Sequence, residues 1–132
     1  MAFLSVQFPE RTKGRRLAEN EFNIHNNKKM QYILLNSSIT ATLTEKNFIR
    51  MDVRQDDITG EIGLFFNTEE GLKLSIQGAN KGNGNFICHN KQVVRWLCSE
   101  LNLTDKVTTL RLSENLSRHP DGMFYKIIGI TR

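Results

Sequence analysis

Cys88 and His89 adjoin, and a thiol beside an imidazole is the pair that nucleophilic catalysis uses. Their spacing defeats it. Residues 85–88 read as a strand, and neighbours on a strand point to opposite faces, so the two side chains diverge. No G-x-S-x-G offers a serine in their place. Asp52, Asp56, Asp57 and Glu61 are oxygen donors close in sequence, but the D-x-[DN]-x-[DN]-G spacing of a calcium loop is missing. They read as a solvated acidic hairpin. His25, His89 and His119 stand far apart in sequence. Neither Cys88 nor Cys98 belongs to a C-x-x-C pair, so no zinc site is expected and both thiols read as small buried hydrophobes. Residues 78–84 are glycine-rich, yet Lys81 precedes the second glycine and a strand follows, whereas a phosphate loop opens a helix. That stretch reads as a hairpin connection. These patterns predict a non-enzymatic protein without cofactor or metal.

The pattern that does point to a ligand is cationic. Arg11, Lys13, Arg15 and Arg16 place four positive charges within six residues. Arms of this kind bind phosphates by counterion release or enter a minor groove. Lys28, Lys29, Lys91 and Arg95 extend the footprint, and Lys91 and Arg95 share one helix face at i, i+4. Arg118 stands as a further candidate. The eight residues Arg11, Lys13, Arg15, Arg16, Lys28, Lys29, Lys91 and Arg95 form the expected nucleic-acid site, with DNA and RNA both open as partners.

The elements that must position these residues are mostly strands. Residues 1–29 read as a basic arm: Pro9 bars a central strand, and 17–22 suit at most a short helical turn. The folded body is expected over 30–132. Residues 30–35 are apolar and β-prone, 36–38 form a turn, and 39–43 alternate as a half-buried strand does. Thr44 then offers a cap for a helical turn over 45–48. Strands follow at 49–53 and 61–66, joined by a loop whose Gly60 suits a positive φ. Residues 72–76 and 85–88 read as further strands. The one main helix spans 91–101, with Asn90 as its cap, Val93, Val94, Leu97, Cys98 and Leu101 on its apolar face, and Asn102 as its end. Strands at 107–112 and 123–130 complete about seven, in a mostly antiparallel α+β domain.

Segments 39–66 and 86–130 share one layout, strand, capped helix, then hairpin, and so read as two half-repeats. In this layout the chain resembles the swapped-hairpin transcriptional regulators of the AbrB and MraZ type, which build a DNA-binding barrel from two β-α-β-β halves. The resemblance implies a regulator of transcription. It transfers no site residue, because the proline that precedes the helix in those families is replaced here by the neighbourhoods of Thr44 and Asn90, and the loops are longer.

Composition bounds the rest. The 132 residues suffice for one domain, and 39% apolar with 24% charged residues is a globular and not a disordered balance. The net charge of +4 is uneven. Residues 1–30 hold six basic and three acidic side chains, while 52–70 hold one basic against six acidic. No apolar run is long enough to span a membrane and no secretory signal is recognisable, so a cytoplasmic location and no membrane partner are expected. Phe65-Phe66 and 127–130 put apolar side chains on both faces of a strand. A second sheet or a second subunit must then cover the outer face, which leaves a second reading open: a phage or mobile-element accessory protein acting through a protein partner or self-association.

Overall fold

In the computed structural model, residues 20–67, 71–77, 84–120 and 122–131 are described. They form ten strands and two helices: β1 (Glu21–Asn26), β2 (Gln31–Leu35), α1 (Ser37–Glu45), β3 (Arg50–Gln55), β4 (Ile62–Asn67), β5 (Leu72–Lys73), β6 (Ser75–Gln77), β7 (Asn85–Cys88), α2 (Lys91–Leu101), β8 (Val107–Leu112), β9 (Ser117–His119) and β10 (Gly122–Ile130). The α+β class and the antiparallel pairing stand as expected, with more strands than the sequence showed.

Three readings are corrected. Residues 39–43 are helix and not strand, and because α1 ends at Glu45, residues 45–48 form no helical turn of their own and Thr44 lies inside α1 and caps nothing. The cap is Asn36, whose side chain accepts from Ile39 N at 2.7 Å. Ile39 and Leu43, one turn apart, are both buried, while Ala41 between them is exposed. Five residues reading I-T-A-T-L satisfy both a period of two and a pair at i, i+4, and the cap decides between them. The second correction is β1. It lies inside the stretch read as an arm, yet it is an interior strand between β2 and β8. The third is β9, a short strand on β10 inside the stretch read as a loop at 113–122.

α2 has the expected bounds. Asn90 accepts from Val93 N at 3.0 Å, and Asn102 adopts the left-handed conformation at φ 57°. Leu103 N then reaches back to Cys98 O at 2.8 Å. α1 ends the same way: Asn47 has φ 61°, and Phe48 N donates to Leu43 O at 2.8 Å.

The strand order is β5-β3-β4-β10-β8-β1-β2-β7-β6. β5 and β6 are consecutive pieces of one segment, 72–77, so the two ends of this path meet and the sheet is a nearly closed barrel. Phe22, Ile24, Ile33, Leu35, Met51, Leu64, Phe66, Leu110 and Leu112 fill it, and Ile39 and Leu43 of α1 with Val94 and Leu97 of α2 join the same core. α1 is also tied to the wall, because buried Thr40 accepts from Phe86 N at 2.7 Å while donating to Asn36 O.

The two halves pair with each other strand for strand. β2 lies on β7 and β4 on β10, while β1 lies on β8 as β5 lies on β3. Matching Phe22 with Leu74, Ile33 with Phe86, Met51 with Leu112 and Leu64 with Tyr125 relates the registers. Met51↔Phe66 becomes Leu112↔Ile127, and Phe22↔Leu110 becomes Leu74↔Ile49, where Leu74 N donates to Ile49 O at 2.9 Å. The strand that precedes the first helix in this scheme is β2, which replaces residues 39–43 in that position.

Candidate nucleic-acid interface

β1, β2 and β7 alternate. Ile24, Ile33 and Cys88 point into the core, so His25, Tyr32 and His89 point outward. The β1–β2 register sets His25 opposite Tyr32, and the two rings stack at 4.2 Å between centroids with 11° between planes. His89 meets the other side of Tyr32 at 5.4 Å and 48°. The result is a row of three rings, two on β1 and β2 and the third on the residue that follows β7. Burial lowers the His25 pKa below its usual 6.5, and its Nε2 is buried without a hydrogen-bond partner.

Cations lie near this row in the chain. Lys28 and Lys29 are exposed in the turn between β1 and β2, which Asn27 closes by accepting from Lys29 N and Met30 N at 2.9 Å each. Lys106 is exposed and its carbonyl accepts from Asn26 N at 2.8 Å, which seats it beside the end of β1. Lys91 follows His89 by two residues and Arg95 follows Lys91 by one helical turn, both exposed on α2. Trp96, 37% exposed, adds an aromatic surface to that helix. Asp105 brings one carboxylate to the Lys106 rim. Lys28 and Lys29 thus lie in the turn that joins His25 to Tyr32, Lys91 lies two residues after His89, and Arg95 lies a turn further on. Arg11, Lys13, Arg15 and Arg16 lie outside the described residues, and Arg118 lies on β9, away from this face. The sequence reading missed His25, Tyr32 and His89. The signal for the first pair was present: residues 25 and 32 stand symmetrically about the four-residue turn 27–30.

A second aromatic group occupies β4, β9 and β10, with Arg54 of β3 beside it. Leu64, Phe66 and Tyr125 face the core, which turns Phe65 and Phe124 outward. Their rings stack at 4.8 Å and 11°, His119 meets Phe65 edge-on at 5.2 Å, and the Arg54 guanidinium lies 5.1 Å over Phe65. Phe65 is thereby only 8% exposed. The outer face of β4 is thus covered by neighbouring side chains, in place of the second sheet or subunit expected from Phe65-Phe66. In 127–130, Ile127 packs against the core while Ile128 and Ile130 remain 52% and 53% exposed.

The cysteines and carboxylates take the places their types predicted. Cys88 and Cys98 are free and buried. Burial pushes the Cys88 thiol up to about 11 and raises that of Cys98, which a 3.5 Å contact from Asn26 Nδ2 partly offsets. Cys88 points into the core and His89 out, so the pair is divided by the sheet. Asp56 closes the β3–β4 turn by accepting from Ile58 N at 2.8 Å and Thr59 N at 2.9 Å, and these N–H groups, Thr59 first, hold its carboxyl below the usual range. Gly60 in that turn has φ 80°. Among the described residues no three His, Cys, Asp or Glu side chains converge as metal ligands would, and no helix is long and apolar enough to cross a membrane.

Comparison with protein-family models, curated proteins and solved structures finds no match for this chain.

Proposed function

We propose that this chain is a non-enzymatic nucleic-acid-binding protein, a regulator or accessory factor that holds single-stranded segments on the β1–β2–β7 wall. The observation that carries the reading is the row His25–Tyr32–His89 with exposed lysines nearby in the chain, Lys28 and Lys29 in the β1–β2 turn and Lys91 two residues after His89. Single strands are bound by stacking bases on aromatic side chains while cations track the phosphates. Stacking is tolerant of sequence, so the surface favours unpaired DNA or RNA without strong base preference. In this reading the cluster Arg11, Lys13, Arg15 and Arg16 adds a phosphate-binding extension.

Fluorescence anisotropy with labelled mixed-sequence 12-mers of RNA and DNA at about 50 mM salt tests it. Binding is expected, weakened about tenfold by Tyr32→Ala. No binding to either oligonucleotide sinks the reading. Unchanged affinity in Tyr32→Ala moves the site off this wall. Exposed Ile128 and Ile130 favour a second reading, self-association through β10, which predicts a dimer mass in light scattering that Ile128→Ser with Ile130→Ser abolishes.

A further inference from the structure

Beside Phe65 and Phe124 opens a cavity of about 360 Å³, at the lower end of the range that small ligands occupy. Its apolar lining comes from the ring pair, with half-buried Phe124 the more exposed of the two. Gly63, opposite Lys126 in the ladder, makes room for that pair: a Cβ there would stand 3.1 Å from Phe65 Cε1 and 3.3 Å from Phe124 Cδ2. The rim is polar and carries both signs. Arg54 lies near Asp52 at 2.9 Å, and Lys126 donates to Glu61 at 3.1 Å. Gln55 and His119 line the same opening; the Gln55 amide N–H groups donate to Gly60 O and Glu100 Oε1, which leaves its carbonyl as an acceptor.

From this pairing of a flat apolar wall with a rim of mixed donors and acceptors, we propose that the cavity is a binding site for an uncharged planar heterocycle of nucleoside size. An aliphatic ligand would cover the rings and leave the rim groups unmet. A phosphate or other anion would meet Asp56 and Glu61, and a simple cation would meet Arg54 and Lys126. A flat ring with a hydrogen-bonding edge satisfies both parts. The site stands apart from the β1–β2–β7 wall, so it neither needs nor implies strand binding there.

Saturation-transfer NMR with adenosine, guanosine, cytidine and uridine tests this, at ligand concentrations on the order of 1 mM to suit a small open site. Transfer to the base protons of at least one nucleoside is expected. Phe124→Ala should reduce it at least fivefold and His119→Ala several-fold, with far-UV circular dichroism showing both variants folded. Tyr32→Ala should leave it unchanged, which separates this site from the strand-binding wall. Adenosine 5′-phosphate should bind no tighter than adenosine. No transfer from any nucleoside overturns the proposal, as does transfer that survives Phe124→Ala in a folded protein. Tenfold tighter binding of the phosphate, or equal binding of phenylalanine amide, overturns the ligand class.

Discussion

Two walls of one barrel carry stacked aromatic rings turned outward, and they differ in the charge set beside those rings. On β1–β2–β7 the rings lie in a row, one from each chain segment, and Lys28, Lys29 and Lys91 lie close to them in the chain. On β3–β4–β10 the rings pile onto each other, and each of the two bordering cations has a carboxylate within 3.1 Å. An excess of cations beside the rings suits a long polyanion, whose counterions are released on binding. Locally balanced charge beside a ring stack suits a small neutral ligand, because a polyanion would bring its phosphates against Glu61 and Asp56. Ring content alone does not choose between these partners; the accompanying charge does.

The comparison breaks first on stability. Phe65 is sandwiched between Arg54 and Phe124, so Phe65→Ala should cost about 3 kcal/mol in urea unfolding, whereas half-buried Tyr32→Ala should cost about 1 kcal/mol. Equal costs would mean that the two walls are equally packed. The next test is electrostatic. Lys28→Ala, Lys29→Ala and Lys91→Ala should each lower the slope of log affinity against log salt by about 1, and Lys126→Ala should leave it unchanged. A slope that responds to Lys126 would erase the distinction. Gly63→Ala should destabilise by about 1 kcal/mol, since Phe65 or Phe124 must yield a few tenths of an ångström. It should also weaken ligand binding at the cavity without touching oligonucleotide affinity, both read by titration.

The smallest effect expected concerns pH. Burial lowers the His25 pKa in the folded state, so between that value and 6.5 the unfolded chain binds more protons. The stability that neutral His25 secures is complete above about pH 6.5 and declines as pH falls toward the folded value. Urea midpoints for the wild type should therefore drop from pH 7.5 to pH 5.5 by more than those of His25→Gln. An identical drop in both proteins would show that the ring is not desolvated on this wall.

Much of the fold was legible in the residues. α2 declared itself through Asn90, an apolar stripe and Asn102, and the β3–β4 hairpin through alternation around Asp56 and Gly60. α1 was missed because its nine residues contain three threonines and a serine pair, weak helix formers whose hydroxyls bond the backbone: Thr40 to Asn36 O and Thr42 to Ser38 O. β1 was missed because its E-F-N-I-H-N pattern sits beside a strongly basic stretch, and its place is fixed by pairing with β8, 86 residues away between Asn23 and Thr109. The cationic half of the candidate interface was visible as Lys28, Lys29, Lys91 and Arg95. In its aromatic half only His89 depends on strand order, which sets β2 between β1 and β7 and so brings it to the His25–Tyr32 pair.

That interlocked strand order also governs when the molecule can fold. β1 awaits β8 and β4 awaits β10, so residues 21–67 emerging from a ribosome carry their strand edges bare until the second half has been made. Closing the barrel needs contacts of long sequence separation, which slows folding and prolongs that exposure. The nascent first half is thus the stage at which the strand edges of this chain are most open to pairing with another copy.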